Sequence, residues 1–315
     1  MTDNDSASRW EREALEKLAG AALVEQKRAR RWGIFFKLLG FAYLTLVLVM
    51  LFDWRQGSVP SGKHTALVEI SGIIAPGADA SADRVNAALQ AAFKDSNTQG
   101  VILRVNSPGG SPVQSQSIYE EVRRLRKLHP DIPLFAVIED VCASGGYYVA
   151  VSADKIFVSP SSIIGSIGVR MDSFGVTGLM EKLGVERRLL TAGENKGMLD
   201  PFLPENPTDK AHMQALLKEV HQQFIHAVQE GRGKRLKENP EIFTGLIWTG
   251  ATSVQMGLAD ALGGIDYVAR EVIKAEDIVD YTQKESITEK FARRVGASAA
   301  HTFGAMVLGQ SYGLR

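Results

Sequence analysis

Cysteine is nearly missing from this chain: among 315 residues there is one, Cys142. No intrachain disulfide is possible, so the folded part must rely on a buried core, which a chain of this length can build. An excess of charge is missing too. Lys plus Arg and Asp plus Glu number 36 each, giving no basic field for nucleic acid and no acidic surplus of the kind that favours disorder. Histidine is sparse and scattered. None of the six, His64, His129, His212, His221, His226 and His301, stands in a glycine-rich turn, so a Ser-His-Asp triad has no supporting context. Internal repeats and low-complexity tracts are absent, and no metal or cofactor is called for.

What the sequence does have begins with one apolar run. Gly33 to Phe52 (GIFFKLLGFAYLTLVLVMLF) is twenty residues with a single charge, Lys37. As a helix it would span about 30 Å, the thickness of a hydrocarbon core. Lys37, one turn in, can snorkel its ammonium to the headgroups. Lys27, Arg28, Arg30 and Arg31 precede the run, and Asp53 and Arg55 follow it. That asymmetry predicts a cytoplasmic N-terminus, with everything after Trp54 outside. A cleavable signal peptide would have a shorter apolar region and small residues at its cleavage site, where this chain has Phe52-Asp53-Trp54-Arg55. An uncleaved anchor in the lipid bilayer is the expectation.

The chain then divides into a cytoplasmic segment (1–31), the transmembrane anchor (32–53), a linker (54–63) that includes QGSVPSG, a compact domain (64–281) and a tail (282–315). The segment REALEKLAGAALVEQKRARR before the anchor reads as a short amphipathic helix on the membrane face or against a partner, or equally as a solvated tail. In the domain, strand-like runs at His64–Ile74, Gly100–Val105, Pro133–Val141 and Lys155–Ser159 alternate with helix-like segments at Ser81–Asp95, Val113–Leu128 and Gly145–Ala153. Such alternation predicts stacked βα units on a largely parallel sheet. The last third reads as more helical: Leu216, Val220, Phe224 and Val228 repeat every four residues, and Gly231 is the expected stop. The tail has mixed charge and a weakly apolar stretch, Phe303–Leu308.

Two turns could carry chemistry. VCASGGYYVAVSADK (Val141–Lys155) sets Ser144 between an apolar strand and a helix that opens on two glycines. A serine there can be a nucleophile helped by free N–H groups and the helix dipole, or simply a helix cap. NSPGG (Asn106–Gly110) ends the strand GVILRV. Its glycine N–H groups could form an anion nest for an oxyanion, and it could equally be an ordinary turn before the helix. A serine nucleophile needs a base, and lysine is the alternative to histidine. Lys196 stands out in GENKGMLDPF (Gly193–Phe202), although from the residues alone a solvated loop lysine is the stronger reading. A lysine works as a base only when uncharged, which apolar surroundings such as Met198, Leu199, Phe202 and Leu203 favour, with Glu194 and Asp200 turned away. Cys142 could be a rival thiol nucleophile, although a buried strand-end thiol is inert.

NSPGG, ASGGYYVA, SSIIGSIGV (Ser161–Val169), ENKGMLDPF and WTGATSVQMGLADALGG (Trp248–Gly264) occur in the order and at the intervals seen in the signal peptide peptidase A family. The resemblance covers about Thr65–Ile273 and the anchor, in the short, single-repeat form. It implies an α/β ClpP/crotonase-like fold with a helical C-terminal part and a membrane-bound serine endopeptidase of the bacterial inner membrane. It implies Ser144 as nucleophile, Lys196 as general base, Ser166 as the serine that orients the lysine, and Gly109, Gly110 and Gly145 as the oxyanion hole. It also implies a ring-shaped homo-oligomer in which neighbouring protomers share a site. The substrates would be extended apolar peptides, such as signal peptide remnants. Two other readings stand beside it. One is a crotonase-type acyl-CoA hydratase or isomerase using Glu139 and Asp140; the other is an inactive membrane scaffold on the same fold.

Overall fold

The computed structural model describes residues 3–51 and 62–283. Helix α1 runs unbroken from Asp3 to Leu51. The helix passes Arg31 without a break, because the residues ahead of it are mostly Ala, Leu, Glu, Lys and Arg, all good helix formers. Within α1, Val24–Leu48 is long and apolar enough to cross a bilayer. Most of the expected linker and the tail from residue 284, including Phe303–Leu308, lie outside the described residues.

The globular part begins with β1 (His64–Ser71), followed by α2 (Ala82–Lys94), β2 (Thr98–Ser107), α3 (Pro112–Leu128), β3 (Leu134–Ala143), the short α4 (Gly145–Ala150) and β4 (Lys155–Val158). These are the stacked βα units expected from the pattern, and all four strands pair in parallel. The strands are apolar on both faces, as a sheet covered on both sides requires. Val101, Leu103 and Val105 of β2 join the larger core beneath the helices, while Ile102 joins Leu67, Phe135, Val137 and Phe157 on the other face. Ser111 caps α3 by accepting from the Gln114 N–H, with Pro112 in the first turn where a missing N–H costs nothing.

β3 is the branch point of the sheet. Its first half, Phe135–Ile138, pairs with β4, and its last residues, Val141–Ala143, pair with β5 (Ile163–Gly165). After β5 come α5 (Thr177–Leu183), α6 (Pro207–Arg232), β6 (Ile247–Thr249), α7 (Gly250–Gln255), β7 (Ala261–Leu262), α8 (Ile265–Tyr267) and β8 (Ile278–Asp280). β6 is antiparallel to β5, β7 lies on β4, and β8 lies on β1. These two- and three-residue strands are too short to leave a periodic signal in the sequence.

Gly231 does not stop α6, which continues to Arg232. A Cβ on Gly231 would sit 2.2 Å from the Val151 carbonyl oxygen, so this glycine lets the helix press against the end of α4. The start and end of the domain are tied together elsewhere. His64, fully buried, reaches the Tyr281 hydroxyl at 3.0 Å, and that hydroxyl donates to Asp95 at 2.7 Å. Burial and the Asp95 bond push the Tyr281 phenol up to about 12.

Among the described residues, the largest fully buried side chain is a cation. Arg232 is 1% exposed and makes a two-pronged contact with Asp260 at 2.8 and 3.0 Å, and its Nε donates to the Gly257 carbonyl. Asp260 also accepts from the Ile156 N–H and from Arg235. Burial works to raise the Asp260 carboxyl, but the Arg232 bond and charge override it and hold the group below its usual range. A carboxyl lowered on folding contributes stability above its unfolded pKa and loses it as pH falls through the folded one. Asp260→Asn should therefore lower the unfolding free energy at neutral pH by about 3–5 kcal/mol. Its deficit against wild type should shrink in denaturant melts below about pH 4.

Candidate active site

Register brings two serines together. Cys142 faces Ile164 and Ala143 faces Gly165 across the β3–β5 ladder, and the Ser144 N–H donates to the Gly165 carbonyl at 2.9 Å. Ser144 and Ser166 are thus the next residues beyond two paired strand ends. Both have positive φ, +52° and +53°, a region that side chains with a Cβ resist at a cost of about 1–3 kcal/mol. Ser166 is pinned by its N–H bond to the Leu246 carbonyl at 2.7 Å. The Ser144 side chain makes no capping bond to α4, so the cap reading of this serine fails, and among the described residues its hydroxyl has no hydrogen-bond partner.

The NSPGG turn lies against the same place. A Cβ on Gly109 would be 2.6 Å from the Gly145 nitrogen and 2.8 Å from the Ser144 Cβ. One on Gly110, at φ +155°, would be 2.1 Å from the Ile74 oxygen. Only glycine fits at either position. Among the described residues, neither the Gly110 nor the Gly145 N–H donates to a protein acceptor. A side chain on Gly145 would meet the Gly110 nitrogen at 3.2 Å, so these two free donors are neighbours beside Ser144. Gly109 departs from its expected role: its N–H is spent on the Ser107 hydroxyl at 3.1 Å and is not available to an oxyanion.

These groups line a cleft of about 640 Å³ together with Pro112, Tyr148, Val220 and Phe224. Tyr148 and Phe224, with ring centroids 5.1 Å apart, make one wall. Both look like ordinary packing residues in the sequence, and their place at the cleft follows only from α4 meeting α6. Tyr147 does pack inside, with its hydroxyl on the Leu258 carbonyl. Glu139 and Asp140 do not line the cleft. Glu139 lies near Arg104, and Asp140 accepts from the Asn106 amide.

Lys196 is exposed, in a turn closed by its own N–H bond to the Gly193 carbonyl, and does not line the cleft of its own chain. Among the described residues it forms no ion pair. Asp200 is indeed engaged elsewhere: it accepts from the Phe202 N–H and from Arg187, and these bonds hold its carboxyl below the usual range. The stretch around Lys196 is thinly packed. From Gly168 to Gln223 no residue is buried, and Phe174 and Leu190 are 81% and 97% exposed.

Cys142 is fully buried two residues before Ser144, and burial pushes its thiol up, which rules it out as a nucleophile at neutral pH. Ellman's reagent should therefore titrate no thiol in the native protein and one per chain in guanidinium. Gly110→Ala, which drives a Cβ into the Ile74 carbonyl, should lower the melting temperature.

The model of peptidase family S49 matches residues 126–279. "Putative protease slr0021" of Synechocystis sp. is 32% identical over 201 residues, which cover 64% of this chain and 70% of that protein. "Putative signal peptide peptidase SppA" of Enterococcus faecium is 32% identical over 189 residues, 60% of this chain and 54% of that protein. The "Na(+)/H(+) antiporter NhaA" of Brucella melitensis is 49% identical over 175 residues, 56% of this chain and 24% of that one. The chain thus spans about half and about a quarter of the last two relatives' own lengths. With a family model on the domain that carries Ser144, and a protease relative matched over most of its length, the chain belongs to peptidase family S49, the signal peptide peptidase A family of serine peptidases.

Proposed function

We propose that this protein is a membrane-anchored endopeptidase that cuts extended apolar peptides with a Ser-Lys dyad. The observation that carries the reading is the uncapped Ser144 hydroxyl at a strained strand end, beside two N–H groups with no protein acceptor. The Ser144 Oγ attacks the scissile carbonyl, while the neutral Lys196 amine takes its proton. The carbonyl oxygen gains negative charge between the Gly110 and Gly145 N–H groups, donors already fixed by the backbone and therefore costing no reorganisation. The ammonium then protonates the leaving amine, and the acyl-enzyme forms on Ser144. Water activated by the same amine releases the acid. Ser166, beside Ser144 at the paired strand end, orients the lysine. No cofactor enters these steps.

Lys196 comes from a neighbouring protomer of a ring. In support, Lys196 is absent from its own chain's cleft, and the unburied stretch from Gly168 to Gln223 exposes large apolar side chains of the kind that mark protein contacts. Burial of that stretch against a second copy would also dry the lysine's surroundings, favouring the uncharged amine. The helix segment Val24–Leu48 supplies the anchor. The basic residues before it place the domain on the extracytoplasmic side of a bacterial inner membrane. Substrates there are peptides left in or near the bilayer, remnant signal peptides in particular. An extended backbone is held by strand-edge hydrogen bonds, and an apolar side chain enters the cleft between Pro112 and the Tyr148–Phe224 wall.

Ser144→Ala and Lys196→Ala should each abolish cleavage of an apolar signal-peptide substrate, followed by mass spectrometry, while leaving the oligomer intact. Mixing the two inactive variants through a cycle of dissociation and reassembly should restore part of the activity, because some sites then receive both native residues. Activity in either variant alone would reject the dyad. No restoration, with wild type surviving the same cycle, would place both residues in one chain. Alkaline carbonate should leave the full chain in the membrane pellet.

A further inference from the structure

Ser107 lies under the oxyanion donors without facing the cleft. It is the last residue of β2, is fully buried, and carries a hydroxyl with a single proton to give. That proton goes to the Gly72 carbonyl just beyond β1, at 2.6 Å. A lone pair of the same oxygen accepts the Gly109 N–H at 3.1 Å. On its other side Ser107 packs on the nucleophile turn: a Cβ on Gly146 would be 2.9 Å from the Ser107 carbonyl oxygen and 3.3 Å from its Cβ. One side chain therefore touches the strand that precedes the cleft, the glycine turn that supplies one donor, and the helix start that supplies the other.

The proton count gives this contact a direction. Since the Ser107 oxygen has given its hydrogen to Gly72, it can only accept from Gly109. The Gly109 N–H is thereby turned inward. The Gly109 carbonyl accepts from the Ile74 N–H at 3.0 Å, and the Ser111 N–H donates to the Ile74 carbonyl at 2.8 Å. Every backbone donor flanking Gly110 is then occupied, and only the Gly110 N–H is left for the cleft. Without the hydroxyl, the buried Gly109 N–H would lose its acceptor and the Gly72 carbonyl its tie to β2, and the glycine turn could rotate to satisfy the N–H.

We infer that Ser107 is a positioning residue for hydrolysis, which selects the Gly110 N–H as the oxyanion donor and holds it in register with the Gly145 N–H. The inference rests on the reading of Ser144 as nucleophile. Its signature is a loss confined to the charged, tetrahedral species, because Ser107 touches the donors and not the bound peptide. The test uses the full chain in detergent, a fluorogenic apolar peptide, and two inhibitors of one sequence: a peptide aldehyde, which adds to Ser144 and puts its oxygen in the hole, and the matching peptide amide. Ser107→Ala should lower kcat by about 10- to 100-fold, with KM moving less than about 2-fold. Aldehyde affinity should fall in parallel with kcat, and amide affinity should hold. Ser107→Thr, which keeps the hydroxyl, should recover most of the loss. If the alanine variant does not fold, Ser107→Cys, close in volume but a weak hydrogen-bonding group, takes its place. Wild-type kcat and aldehyde affinity in these variants would overturn the inference, as would equal losses for aldehyde and amide. Ser144→Ala is measured alongside: if it keeps activity or still prefers the aldehyde, the nucleophile assignment fails instead.

Discussion

The site hangs on one backbone hydrogen bond, from the Ser144 N–H to the Gly165 carbonyl at 2.9 Å. It is the last rung of the β3–β5 ladder, and beyond it both strands turn sharply at a serine with positive φ. A parallel pair has evenly spaced rungs, so a slip of one residue would turn every side chain to the other face. The slip is prevented because Cys142 and Ile164, one rung earlier, are both fully buried in the core beneath the helices. Core packing thus fixes the register, and the register sets the two serines side by side. The strain at Ser144 and Ser166 is sustained by the buried structure around them.

The second constraint is close approach of backbones. The NSPGG turn, the end of β1 and the start of α4 meet at distances that leave no room for a Cβ at Gly109 or Gly110. Side chains there would push the three segments apart. Instead the walls consist of amide groups, which are rigid donors. Asn106 adds to this arrangement at the other end of the motif. Its side chain accepts from the Val141 N–H and donates to Asp140 where the β2–β3 register shifts, Val141 lying three residues before Ser144. The first two residues of the motif therefore brace β3 and the glycine turn, and the last two leave the space open.

The stretch from Gly168 to Gln223 follows a different logic. It has secondary structure in α5 and the first part of α6, yet it buries nothing within the chain. Exposed Phe174, Leu183 and Leu190 are costly in water unless something covers them. The polar bonds within the stretch, such as Arg187 to Asp200, shape it locally without giving it a core. Nothing in the described residues of the chain covers this surface, and Lys196 lies on it, away from the cleft of its own chain.

Much of the fold was legible because its strands and helices have strong periods. The four main strands, α2, α3 and the long α6 fall where the apolar spacing puts them; the turns holding Ser144 and Gly110 stood out at strand ends, whereas Ser166 was picked out only by the family resemblance. The short strands β5 to β8 were not, since three residues leave no period and their pairing is decided by the partner. The continuation of α6 through Gly231 was misjudged at its boundary, where close packing on the end of α4 outweighed the local signal. The sequence by itself determined the parallel βα order, the apolar helix at the start and the residue types at the turns, because these depend on local periodicity and backbone freedom. Only the tertiary structure decided that Gly109 spends its N–H on Ser107, that Tyr148 and Phe224 form a wall, and that Lys196 stands apart from Ser144. Each of those depends on residues far apart in the chain meeting in space, and composition and spacing do not record such meetings.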